Sequence, residues 1–324
     1  MLSSSLATAI KKGDRTALSK GITLVENEPV RAAALLRDLG PPARSFVIGI
    51  TGPPGTGKSS LVDRLIASYR KLGLKVGVIA VDPTSPLTGG ALLGDRVRMT
   101  AHTGDRGVFI RSMASRGWSG GLSRAATGAI RLMDAAGFDV VLLETVGIGQ
   151  SDIEVVGVSH AVLVVLMPGL GDDIQVSKAG LMEVGDFYAV NKADLDGADA
   201  MVVSILSLFR GMPRSPPVLK VSALTGEGVE KLLAAIETTR ARFTGGAKDL
   251  RLRSVRGMIV ETARNAAMAR FTTVSEEAAD SLAQKVIEGE LTIEGAAARL
   301  APSSFGPPGA RTSGRSARRR PSQA

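Results

Sequence analysis

At 324 residues, with 44% hydrophobic side chains, 22% charged ones and 3% aromatics, the chain has the composition of a globular protein with an aliphatic core. The absence of cysteine excludes disulfides, thiolate nucleophiles and Cys-based zinc or iron–sulfur sites. Five arginines of the +9 balance fall in the acid-free stretch Arg311 to Arg320, which predicts a solvated basic tail over residues 302–324 and no nucleic-acid surface.

No apolar run reaches the ~18–20 residues that span a bilayer, and the start has no secretory pattern, so a cytoplasmic protein without a membrane partner is expected. In chain order, Asn27-Glu28-Pro29 can cap and start a helix over 30–39 that Gly40-Pro41-Pro42 ends, which makes residues 1–45 an N-terminal helical extension. Short apolar runs at 46–51, 75–81, 108–111, 139–144, 161–167, 187–191 and 218–221 then read as strands. Runs such as VVLLE and AVLVVL lack polar alternation, as strands covered on both faces do. With helical stretches between them, the pattern predicts an α/β fold over residues 46–243, a doubly wound, mostly parallel sheet with its ligand at the carboxyl ends of the strands. Helices at 229–243, 254–270, 275–288 (with Ser275 as N-cap) and 291–300 follow, and residues 244–301 form a C-terminal helical segment that either packs on the core or serves self-association.

Three strings carry chemistry. Gly52-Pro53-Pro54-Gly55-Thr56-Gly57-Lys58-Ser59 fits G-x-x-x-x-G-K-[ST] between a predicted strand and a helix over 60–71. Its glycines let backbone N–H groups, with Ser60 at the helix start, cradle phosphates; Lys58 would reach the β- and γ-phosphates, and Ser59 would bind Mg²⁺. The second set is acidic. Asp82, Asp95 and Glu144 lie at or just beyond strand ends, where a P-loop hydrolase holds its Mg²⁺. Glu144-Thr145-Val146-Gly147 is an E-x-x-G version of D-x-x-G, and the Gly147 N–H can sense a γ-phosphate. Ile148 stands where many signalling GTPases have a water-positioning glutamine, and Gln150 is displaced, so slow intrinsic hydrolysis is expected, with Asp82 able to order the water.

The third string, Asn191-Lys192-Ala193-Asp194, matches N-K-x-D. A carboxylate at Asp194 accepts from guanine N1–H and its 2-amino group; adenine offers neither in that geometry. Lys192 would lie along the base and Asn191 would tie the pocket to the phosphate loop. Ser222-Ala223-Leu224 follows another strand and matches the segment whose backbone N–H groups receive guanine O6. Together these strings predict a P-loop NTPase that binds GTP and GDP with Mg²⁺ and hydrolyses GTP.

The strings ITGPPGTGKSSLVDRL, VDPTSPLTGGALLGDRVRM, ETVGIGQSD and SALTGEGV, with the stretch Ile22 to Asn27 before them, closely resemble the MeaB/ArgK-type GTPases, also known as LAO/AO transport-system kinases. The resemblance implies association with an adenosylcobalamin-dependent acyl-CoA mutase, typically methylmalonyl-CoA mutase, whose cofactor loading the GTPase gates and which it protects. It also implies a homodimer through C-terminal helices and a mobile coupling segment over 169–180. Asp152 departs mildly from the family's QSE run, and the arginine-rich tail is not a family feature. Competing readings are a nickel-insertion GTPase, which this chain's two histidines serve poorly, an ATP-using kinase linked to amino-acid transport, against which Asp194 argues, and a nucleotide-gated scaffold with negligible catalysis.

Overall fold

The computed structural model describes residues 2–41, 45–82, 100–102, 104–114, 124–145, 147, 155, 157–169, 181–271, 276–288 and 290–300. Its strands are β1 (Phe46–Thr51), β2 (Val76–Asp82), β3 (Val108–Ala114), β4 (Val140–Glu144), β5 (Ala161–Leu166), β6 (Phe187–Val190) and β7 (Val218–Lys220). Its helices are α1 (Leu2–Lys11), α2 (Arg15–Asn27), α3 (Pro29–Leu39), α4 (Lys58–Lys71), α5 (Arg124–Ala135), α6 (Leu181–Val184), α7 (Ala198–Leu208), α8 (Val229–Thr244), α9 (Lys248–Phe271), α10 (Glu276–Ile287) and α11 (Ile293–Leu300). The strands form one sheet in the order β3-β2-β4-β1-β5-β6-β7, every neighbouring pair parallel. This is the doubly wound α/β fold expected of a P-loop NTPase.

Period-two alternation splits each central strand between two cores. Phe46, Ile48 and Ile50 join Val140, Leu142, Leu163 and Val165 on one face, under Leu61, Leu65 and Ile66 of α4 and Leu232 and Ile236 of α8. Val47, Val141, Leu143, Val162 and Val164 face the other way, into a core shared with α1, α2, α3, α5 and α7. The strands therefore need apolar residues at consecutive positions.

The N-terminal helices belong to that second core. Ile10, Leu18, Ile22 and Leu35 are fully buried. Helix α2 crosses α5 at two glycines, where added Cβ atoms would meet Leu132 Cδ2 at 3.1 Å (from Gly21) and Val25 Cγ1 at 2.4 Å (from Gly128). Asp14 caps α2 by accepting from the Ala17 N–H at 2.9 Å. Arg131 of α5 donates to the Leu36 and Gly40 carbonyls and so closes the end of α3. The expected Asn27 cap differs in detail: Asn27 ends α2, and Glu28 caps α3 without a side-chain cap bond. The Glu28 carboxylate pairs with Arg31 at 2.6 Å.

The chain divides into two units, Met1–Thr262 and Ala263–Ala324. In the second, α10 and α11 contact each other, and Thr292 Oγ1 caps α11 by accepting from the Gly295 N–H at 3.0 Å. The proposed cap Ser275 and the tail 302–324 lie outside the described residues. No described helix is long and apolar enough to cross a membrane.

Candidate functional site

The carboxyl ends of β1, β4, β5, β6 and β7 meet at one edge, and the phosphate loop, Glu144 and the N-K-x-D string converge there. The loop after β1 needs its glycines. Gly52 has φ 138°, and a Cβ there would fall 2.0 Å from the Val165 carbonyl oxygen of β5. Gly55 and Gly57 are left-handed, and a Cβ on Gly57 would lie 2.5 Å from Asn191 Nδ2. Thr56 Oγ1 donates to the Pro53 carbonyl at 2.9 Å, which tightens the turn beneath the exposed Pro54. Helix α4 starts at Lys58, so its positive end faces the loop. The buried Lys58 ammonium donates to the Gly52 carbonyl at 2.7 Å and to the Pro53 carbonyl at 3.1 Å, a cation held across the loop. Ser60 follows on the exposed side of the first turn.

Ser59 and Glu144 come together. Ser59 Oγ donates to Glu144 Oε1 at 2.7 Å, and both residues are buried. Glu144 ends β4, in register with Ile50 of β1 and Ala80 of β2. This puts two hard oxygen donors beside the loop, a set that fits Mg²⁺, which takes few protein ligands and completes its shell with phosphate and water. Among the described residues no three His, Cys, Asp or Glu side chains cluster as a metal site. Asp82 is the last residue of β2, two beyond Ala80, so its backbone lies at the same edge; its side chain is outside the described set, as are Asp95, Ile148, Gln150, Asp152 and residues 170–180.

Gly147 packs directly on the phosphate loop. It has φ 85°, and a Cβ there would meet the Gly52 carbonyl at 2.0 Å and Lys58 Nζ at 2.6 Å. Thr145 supports this segment through its N–H to the Ile50 carbonyl at 3.0 Å and its hydroxyl to Thr51 Oγ1 at 3.2 Å.

Asn191, only 1% exposed, joins the phosphate and base strings. Its amide N–H donates to the Thr56 carbonyl at 2.7 Å, and its Oδ1 accepts the Ala223 N–H at 3.0 Å. Lys192 has φ 57°, the one positive φ among described non-glycine residues, and this turns the backbone sharply between Asn191 and Asp194. Asp194 Oδ1 accepts from Ser222 Oγ at 2.5 Å. The Ser222–Leu224 segment opens a helical turn: Gly226 N–H donates to the Ser222 carbonyl at 2.8 Å, and Thr225 N–H to Ser222 Oγ at 3.2 Å. Two of the three N–H groups expected to read guanine O6 are engaged inside the protein, Ser222 with the Glu227 carbonyl and Ala223 with Asn191. That of Leu224 has no acceptor among the described residues.

One participant carries no sequence signal. Arg64 of α4 donates to the Ala223 carbonyl through Nε at 2.7 Å and to the Leu224 carbonyl through Nη2 at 2.6 Å. The histidines stand apart from this edge. His160 precedes β5 and accepts the Val47 N–H on Nδ1 at 2.9 Å, and burial pushes its pKa down to about 4. His102 lies 3.1 Å from Asp63 of α4.

The chain is similar to several known proteins. A Pyrococcus horikoshii protein carrying a GTPase name is 50% identical over 240 residues, 72% of this chain and 76% of that protein. The Escherichia coli protein named GTPase ArgK is 39% identical over 252 residues, 74% of this chain and 76% of that one. The solved structure of a protein named LAO/AO transport system kinase superposes with a TM-score of 0.67 at 27% identity, covering 92% of this chain and 96% of that one. Residues 18–277 match the family model described as "Methylmalonyl Co-A mutase-associated GTPase MeaB". With a P-loop fold, a guanine-reading string and a family match over most of its length, the chain belongs to the MeaB family of GTPases.

Proposed function

We propose that this GTPase works on behalf of an adenosylcobalamin-dependent acyl-CoA mutase, methylmalonyl-CoA mutase first, using GTP and Mg²⁺ to gate cofactor loading and to protect the mutase. The observation that carries the nucleotide half is the Asn191 bridge, which makes phosphate and base recognition one unit. The mutase half rests on the family description. Lys58 and the loop N–H groups hold the β- and γ-phosphates; Asp194 reads N1–H and the 2-amino group of guanine, and Lys192 lies along the base. Ser59 and Glu144, with Asp82 and Asp95, would hold Mg²⁺, which would offset charge on the phosphate oxygens. Gly147 reports the γ-phosphate, and Asp82 orders the attacking water. Residues 244–301 serve dimerisation and 169–180 couple nucleotide state to the mutase; the protein is cytoplasmic, with a helical extension over 1–45, the GTPase domain over 46–243 and a basic tail over 302–324.

The kinase name carried by the LAO/AO neighbour favours a second reading, an ATP-using kinase. Against it, the Asp194 carboxylate would be left unmatched over adenine. One experiment separates the readings: GTP and ATP turnover by the purified chain, alone and with a purified adenosylcobalamin-dependent methylmalonyl-CoA mutase. The expected result is slow GTP hydrolysis that rises with the mutase, and co-elution of the two. No complex and no change in rate would overturn the mutase half; preference for ATP would overturn the guanine half.

A further inference from the structure

Arg64 lies six residues beyond Lys58 on the helix that starts at the phosphate loop, yet both its hydrogen bonds go to the base-reading segment. They fall on consecutive carbonyls, Ala223 at 2.7 Å and Leu224 at 2.6 Å. The Ala223 carbonyl shares its peptide plane with the Leu224 N–H. The chain has no cis peptide among its described residues, so in this planar unit the N–H points opposite to the carbonyl. A guanidinium that fixes the Ala223 oxygen therefore also fixes the direction of the Leu224 N–H, away from α4. A cation on the carbonyl also polarises the same peptide and strengthens its N–H as a donor.

That N–H is the one the turn leaves open. On one side of it the Ala223 N–H is spent on Asn191 Oδ1. On the other, the Thr225 N–H is spent on Ser222 Oγ, whose hydroxyl donates to Asp194. The open donor is thus bracketed by groups tied to the first residue of N-K-x-D directly and to the last through the Ser222 hydroxyl. Leu224 is 77% exposed, so packing does little to hold it in place, and Arg64 is the group that fixes the Ala223–Leu224 peptide.

From this geometry we infer that Arg64 is a positioning residue for base specificity: it aims the Leu224 N–H at guanine O6, through the backbone and without touching the nucleotide. The inference rests on the guanine reading of this pocket. It also divides base recognition into two parts, with O6 read through Arg64 and Leu224 and the N1–H and 2-amino group read by Asp194.

The division supplies the test. Affinities of the full-length protein are measured for GTP, ITP (which keeps O6 and N1–H and lacks the 2-amino group) and 2-aminoadenosine triphosphate (which keeps the 2-amino group, replaces O6 by an amine and loses the N1–H). The N1–H share belongs to Asp194 and cancels when the variant's preference is compared with that of the unaltered protein. Arg64→Ala should lower the preference for GTP over 2-aminoadenosine triphosphate by about tenfold, the scale of one charge-assisted hydrogen bond. The GTP-to-ITP ratio should stay within about twofold, because Asp194 is untouched. Arg64→Lys, one donor nitrogen in place of two, should recover part of the loss, and it replaces the alanine variant if that variant does not fold. An unchanged preference over 2-aminoadenosine triphosphate overturns the inference. So does a parallel collapse of the GTP-to-ITP ratio, which would mean general loosening of the pocket. If the unaltered protein shows no preference for GTP over ATP, the guanine reading itself fails, an outcome distinct from either of these.

Discussion

Replacing Asn191 by alanine removes one side chain and leaves two groups of the nucleotide site without partners. The Thr56 carbonyl loses its 2.7 Å donor and the Ala223 N–H its 3.0 Å acceptor, both in buried surroundings. A buried backbone group stranded in this way costs about 1–3 kcal/mol, so the pair is worth about 2–6 kcal/mol before water or relaxation recovers part of it. The loss divides between folding and binding, because the same bonds hold the phosphate loop against the base-reading turn. Urea unfolding without nucleotide reads the first share, and calorimetric titration with GDP reads the second. If a quarter of the loss reaches the bound state, about 0.5–1.5 kcal/mol, GDP affinity drops by about two- to twelvefold. Asn191→Asp sharpens the test: it keeps an acceptor for the Ala223 N–H but sets a carboxylate oxygen against the Thr56 carbonyl, so it should bind GDP no better than the alanine variant. Stability within about 0.5 kcal/mol of the unaltered protein, together with GDP affinity within about twofold, would refute the idea that one amide couples the two halves of the site.

The same structure makes two further predictions away from the nucleotide. His160 is buried neutral, with its pKa lowered from 6.5 to about 4, so the unfolded chain takes up a proton that the folded chain refuses. Its contribution is intact above the unfolded pKa and falls as pH drops toward the folded one, by about 2 kcal/mol at pH 5. Urea denaturation at pH 7 and pH 5 should show that loss, and His160→Asn, which can still accept the Val47 N–H, should remove most of the difference between the two pH values. Gly257, inside α9, approaches Gly157 so closely that an added Cβ would lie 1.5 Å from the Gly157 carbonyl oxygen, beside the Ser254 hydroxyl bond to the Val158 carbonyl. Alanine normally favours a helix by about 1 kcal/mol over glycine. Here overpacking should win, and Gly257→Ala should lower stability by about 1–3 kcal/mol; a rise in the thermal midpoint would contradict the contact.

Much of this was readable in the chain because the informative features are local. β1 occupies the expected 46–51, since six consecutive apolar or small residues before a glycine-rich loop leave little choice. β3 runs to Ala114, beyond the expected 111, because Arg111 and Ser112 sit half-buried on an edge strand where polar residues are tolerated. Helix α5 hid behind its own breakers: Gly128 costs helix propensity but admits Val25 of α2. Helix α7, with its apolar, β-branched MVVSILSL, offers little amphipathic contrast to mark it. In the site, Lys58, Ser59, Glu144, Asn191 and Asp194 are legible because each lies in a string of fixed spacing. Arg64 is not, since its acceptors are 159 and 160 residues away and are backbone atoms. Nor could the sequence tell which N–H of Ser222–Leu224 stays open, because the Asn191 side chain decides it.

The central position of β1 bears on how the chain reaches this state. Its neighbours are β4, with Phe46 opposite Val140, and β5, with Ile48 opposite Ala161. Neither exists when β1 leaves the ribosome, and β2, made next, never pairs with it. Long-range parallel pairings of this kind form slowly, because loop closure must precede the contacts that reward it. During synthesis, the strand that carries the phosphate loop therefore waits with both edges open until about a hundred further residues have emerged, and a nucleotide can reward folding only after β5 has docked.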